Sequence, residues 1–189
     1  MTQSVCMNAD TNRRLENIVR FGTIKTINPS KPIPRVIVNL GDIETPEIRC
    51  LNIRSGDDAT WDMPSINEEC VVISPCGDIG PTSFVLYGFY NDDHPAPSDD
   101  LNKKIRMFAD GCVIAYDISS HHLSAVLPSG GTAQIVADVE VIGKLHVTKG
   151  ITAGENISTP ADVKAGSISL KTHKHSGVQG GSSTSGGPQ

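Results

Sequence analysis

Aromatic side chains are scarce: one Trp, three Tyr and four Phe, 4% of the 189 residues. That scarcity argues against one large core built on aromatic packing. Positive charge is not gathered anywhere. Sixteen Lys and Arg stand against 21 Asp and Glu, a formal net charge of −5, and no basic stripe appears. Nucleic acid is therefore not an expected partner, because its binding rests on neutralising phosphates. The cysteines are few and odd in number: Cys6, Cys50, Cys70, Cys76 and Cys112, with no Cys-x-x-Cys pair. They read as reduced thiols of a protein made in the cytoplasm, not as a disulfide framework or a zinc site. No apolar run approaches the roughly 18 residues of a membrane span. Residues 1–10 lack a basic and apolar leader, so neither export by a cleaved signal nor residence in a bilayer is expected.

What is plentiful is turn chemistry. Eighteen Gly and twelve Pro predict many turns and little helix. One helix is expected over residues 10–20, within an N-terminal segment 1–21. Asp10 or Thr11 would cap it, Leu15, Ile18 and Val19 would share a face, and Gly22 would end it. From 22 to 91 short strands alternate with turns: 23–27, 36–40, 47–54, 70–73 and 84–87. The last two are unbroken apolar runs, Cys70-Val71-Val72-Ile73 and Phe84-Val85-Leu86-Tyr87. Five strands in about 70 residues suit a small OB-fold barrel. Such barrels often bind single strands through aromatics in a basic groove. Here Asp57, Asp58, Asp62, Glu68 and Glu69 crowd the middle, and Trp61 is expected to pack rather than stack on bases. Residues 92–104, with His94-Pro95-Ala96-Pro97, read as a linker, and His94 as a solvated turn residue.

Beyond the linker the pattern changes. Three strands are expected within 105–127, the first pair joined by an Asp110-Gly111 turn. His121 and His122 are adjacent, so they face opposite sides of a strand and cannot chelate together. An unusually long alternation follows. Ile135, Val139, Val141, Leu145, Val147, Ile151 and Ile157 hold odd positions among Ala133, Ala137, Gly143 and Ala153, while Asp138, Glu140, Lys144 and His146 hold even ones. One apolar face of that length has no second sheet or helix in the sequence to cover it. Burying each Val, Ile or Leu is worth about 1.5–3 kcal/mol, so a cover is expected. Two more copies of the same strip supply it. The fold class expected is all-β: an N-terminal OB-fold barrel, then an intertwined trimeric β-helix (a β-prism) over 105–170, made by a homotrimer.

The chain closes on Lys171-Thr172-His173-Lys174-His175 and fourteen residues rich in Gly and Ser, an apex segment 171–189. On an extended chain His173 and His175 point the same way, about 6.6 Å apart. Two imidazoles of one chain make no compact metal site at bond lengths near 2.0–2.1 Å. Three chains would offer six, in two rings. Six ligands argue against zinc and suit iron, one ion per trimer. Read alone, the pair is more simply a surface feature of a polar tail.

Taken in order, these segments resemble the baseplate spike, or baseplate assembly protein V, of contractile phage tails and R-type tailocins. Trp61-Asp62-Met63-Pro64 followed by Asn67-Glu68-Glu69-Cys70-Val71 is similar to the family's Trp-x-x-Pro and Gly-Glu-x-Val segment, with Asn67 where Gly is usual. Gly88-Phe89-Tyr90-Asn91 with Pro95 and Pro97 resembles its barrel exit. Arg106 to Asp117 resembles the strand pair that opens its shaft, and Thr172 to His175 its apex, with Lys171 in place of a common first His. The resemblance implies an OB-fold collar, a trimeric shaft, and an apex holding one iron through His173 and His175 of three chains. It implies partners in the baseplate hub and tail tube, reached through the N-terminal region. It also implies piercing of a Gram-negative outer membrane, with entry into the periplasm, on sheath contraction. No lysozyme-like insertion lies between barrel and shaft, so no enzyme activity is expected. A trimeric receptor-binding fibre remains an alternative. A metalloenzyme would need a third ligand near the histidines, and Ser176 to Gln189 has no Asp or Glu.

Overall fold

The computed structural model describes residues 2–174 and Gly181. Contacts divide the chain into two compact units, Met1–Ala133 and Gln134–Gln189. The first unit opens with α1 (Thr2–Asn17). The barrel strands follow: β1 (Val19–Asn28), β2 (Arg35–Asn39), β3 (Ile48–Cys50), β4 (Glu69–Ile73) and β5 (Phe84–Phe89). They close in the order β1-β2-β3-β5-β4, with β3 and β5 parallel. Alternation selects the core. Ile24, Val36, Val38, Ile48, Val72 and Val85 point inward and are at most 1% exposed. Full burial of side chains of this kind contributes about 1.5–3 kcal/mol each, so the barrel is held by branched aliphatics, as the scarcity of aromatics requires.

Two glycines mark close approaches. A Cβ at Gly22 would come within 2.4 Å of the Asn39 carbonyl oxygen, so only glycine lets β1 lie this close to β2. Gly77 lies in a single 3₁₀ turn, Pro75–Gly77, with φ +71, and a Cβ there would run into the Arg14 carbonyl of α1. Asn67 adopts φ 65 in the turn before β4. Asparagine tolerates that left-handed conformation, so the turn survives without its usual glycine. Glu68 accepts a hydrogen bond from the Ser65 amide at 2.7 Å and closes it.

The helix differs from the expected 10–20. It begins at Thr2 and stops at Asn17, so residues 18–21 of the expected N-terminal segment leave it and the barrel starts at Val19 rather than Gly22. Val19 and Phe21 pair with Ile73 and Val71 across β4, and that ladder takes residues whose shape suits strands better than helix. Asp10 is mid-helix and is not a cap. Its carboxylate accepts from Arg13 at 2.7 Å and Arg14 at 2.9 Å, and these guanidiniums hold it below the ordinary carboxylate range, Arg13 foremost.

β6 (Lys103–Met107) begins inside the stretch read as linker, and with β7 (Val113–Asp117) and β8 (His122–Val126) it forms an antiparallel sheet of three. It belongs to the same compact unit as the barrel, so the division at residue 133 falls inside the stretch read as shaft. In the second unit β9 (Lys164–Ala165) and β10 (Ile168–Ser169) make a two-residue-per-strand hairpin.

Candidate functional site

Residues 134–163 carry no hydrogen-bonded strand. The seven positions predicted as shaft core, Ile135, Val139, Val141, Leu145, Val147, Ile151 and Ile157, are between 42% and 74% exposed in a single chain. Val136 and Ile142, at even positions, are exposed at 88% and 93%. The odd-numbered apolar positions thus have no intramolecular cover among the described residues, and Val136 and Ile142 interrupt the alternation on the even side.

The hairpin beyond it orders the approach to the histidines. The Leu170 amide bonds the Val163 carbonyl at 2.8 Å and the Lys171 amide bonds the Asp162 carboxylate at 3.2 Å. A turn at 170–172 precedes His173, so the strand does not continue through it as an extended pair would need. The Thr172 amide bonds Ser169 Oγ at 3.0 Å, and the His173 amide bonds the Ser169 carbonyl at 3.1 Å. His173 Nδ1 lies 3.1 Å from the carbonyl oxygens of Ser169 and Leu170. Carbonyls only accept, so Nδ1 donates here, and in a neutral ring Nε2 is then the nitrogen that would turn to a metal. That is the arrangement of a ligating histidine, whose second ring nitrogen donates to a backbone carbonyl and fixes the ring. His173 therefore fits the expected metal. His175 lies outside the described residues. Among the described residues no three His, Cys, Asp or Glu gather as a metal site within one chain; the expected site would draw its ligands from three.

In the first unit a groove of about 620 Å³ runs between β5, the linker and β6. Arg106 of β6 bonds the Asp62 carboxylate at 2.5 Å, and its guanidinium lies 5.3 Å from the Phe108 ring centre. The Tyr87 hydroxyl donates to the Asp62 carbonyl at 2.6 Å, and burial pushes its pKa up. His94 sits in the expected turn, its amide bonding Asn91 Oδ1 at 2.7 Å. It is not a simple solvated residue, however: its Nδ1 is buried and has no partner among the described residues. Trp61 is 64% exposed and does not pack into the barrel as expected. It stands in the long loop between β3 and β4, where no strand or helix fixes it against the core. His121 takes φ 54 in the β7–β8 turn, while His122 begins β8 opposite Asp117, so the two are separated as the sequence implied.

Cys50, Cys70, Cys76 and Cys112 are free thiols. What the sequence reading missed is the outside of the barrel, where Val19, Phe21 and Phe89 stand exposed. The signal was present in the unbroken apolar runs of β4 and β5, since runs of this kind predict burial on both faces.

Comparison with known proteins agrees with this layout. Residues 20–90 match the family described as the type VI secretion system and phage-baseplate injector OB domain. Residues 167–189 match the GpV apex motif. The chain is 30% identical to the spike protein of Escherichia phage P2 over 204 aligned positions, covering 93% of this chain and 94% of that relative.

Proposed function

The chain belongs to the baseplate spike family of contractile phage tails, and we propose that three copies form the central spike of a baseplate, which pierces the outer membrane of a Gram-negative host when the sheath contracts. The observation that carries this reading is the uncovered strip from Ile135 to Ile157. Three chains wound with these faces inward cover one another and pair the open strand edges. They leave Asp138, Glu140, Lys144 and His146 on the wet side. A slim prism of this kind transmits an axial push without a wide cross-section.

At its end, His173 and His175 of three chains would hold one iron. The carbonyl-bound Nδ1 of His173 supports this assignment. When bound, the metal supplies a cross-link between chain ends where packing is thinnest. Six protein nitrogens leave no position for substrate, so the role is structural and no reaction is assigned to the chain. The barrel side carries the contacts to the baseplate hub and tail tube. The protein would be made in the bacterial cytoplasm, ride on the virion or tailocin, and enter the host envelope.

Light scattering on the purified chain, joined to elemental analysis, tests the reading. The expected result is a mass of three chains with about one iron among them, from the six-ligand requirement. A well-folded monomer would sink the trimer. One metal per chain, or none in protein expressed with ample iron, would discard the iron tip.

A further inference from the structure

The outer face of the barrel is apolar where three strands run side by side. β1 lies against β4 and β4 against β5, so the register sets Val19, Ile73 and Phe84 in one row and Phe21, Val71 and Leu86 in the next. Neither row holds a charge. Phe89, opposite Glu69 in the following row, meets Phe21 edge-on with ring centres 6.0 Å apart. Phe21 is 63% and Val19 54% exposed. Val71 is buried and Ile73, Phe84 and Leu86 are half-buried, so the accessible part of the face is carried by Val19, Phe21 and Phe89. An exposed apolar patch on a folded domain marks an interaction surface. The barrel is closed, so a partner cannot dock by adding a strand and must dock on side chains.

Beside Phe21 is a concavity of about 370 Å³, lined by Gly22, Leu40 and Glu69 among others. Among the described residues Glu69 makes no ion pair. An aromatic wall, a shallow hollow and an unmatched carboxylate together suit one kind of insert: a long basic side chain. Its aliphatic stem packs on an apolar wall while its charged end meets a carboxylate. A second copy seated face to face about a two-fold axis would instead bring Glu69 toward Glu69.

We propose that the outer β1–β4–β5 face is the surface through which the barrel docks, and that it takes an apolar face of a different protein presenting an Arg or Lys to Glu69. This rests on the reading that the barrel side carries the baseplate contacts. The probe is tails assembled in cells that lack the gene for this chain, with the full-length chain supplied from a plasmid. Phe21→Ser combined with Phe89→Ser is expected to keep the native oligomer mass and to lower co-purification with tails by about tenfold or more, the scale of a lost interface anchor. Glu69→Lys is expected to lower it as well, and Glu69→Gln to lower it less. Normal incorporation of the phenylalanine variant overturns the proposal. So does loss of its native mass with the barrel still folded, which assigns the face to a second copy of this chain. If that variant does not fold, Glu69→Lys decides alone, and wild-type incorporation of it overturns the proposal. Failure of the unaltered chain to co-purify with tails refutes the docking role itself, and with it the reading on which the surface was assigned.

Discussion

At the scale of single residues the barrel's thiols show what burial does to chemistry. Cys70 is fully buried with its Sγ 3.4 Å from the Gly22 carbonyl, and loss of solvent pushes its pKa up to about 12. Cys50 is pushed up to about 11 for the same reason. At pH 8 such thiols are thiolate in about one molecule in a thousand or fewer, and only thiolate is alkylated. Iodoacetamide at pH 8 should therefore label exposed Cys76 long before Cys50 or Cys70, as read by peptide mass spectrometry. Equal labelling of Cys70 and Cys76 in folded protein would contradict the packing. The same shifts set a pH limit. Above the ordinary thiol value of 9.0 the unfolded chain releases protons that the folded chain keeps. Stability then falls as pH rises from about 9 toward the folded values. Chemical denaturation at pH 8 and pH 10 checks the direction, which reverses if burial favours thiolate.

At the scale of elements the strands of the barrel were legible because each is short, β-branched and fenced by turns. The three strands of 103–126 were legible from Asp110-Gly111 and the Ser119-Ser120 turn. Boundaries were less so. Nothing local told Val19 and Phe21 to leave the helix; their partners Ile73 and Val71 lie more than 50 residues away in sequence. The fate of Trp61 was equally hidden, since a lone large side chain reads as core until a long loop carries it outward. The 134–163 strip shows the opposite case: its pattern is plain in sequence while one chain cannot express it. A charge at Val141 or Val147 tests the element directly. Each substitution would place three unpaired charges around one axis, where burial without a partner is costly. Val141→Asp or Val147→Asp should abolish the trimer in light scattering while the barrel keeps its strand signature in circular dichroism. A trimer that survives both substitutions would place these residues on the wet face.

At the scale of the whole molecule, stability is divided between a part that one chain completes and a part that it does not. The barrel closes within a single chain, whereas in the proposed trimer the strip and the histidine end would acquire their cover from other copies. Unfolding of the second part should therefore shift with protein concentration, as it does for any structure that exists by association. The proposed metal would separate the two contributions. His173 is exposed and contacts backbone carbonyls on its Nδ1 side, so replacing it would remove the proposed ligand without disturbing a packed core. Paired replacement His173→Ala with His175→Ala should eliminate iron from the purified protein while light scattering still gives three chains. Hydrogen exchange should rise from Val163 toward the C-terminus and stay unchanged in β1 to β5. In the proposed trimer the apolar positions from Ile135 to Ile157 would hold the chains together, and one shared ion would tie only their ends. If the double variant falls apart into monomers, the ion and not the strip holds the assembly, and the shaft assignment of Ile135 to Ile157 loses its support.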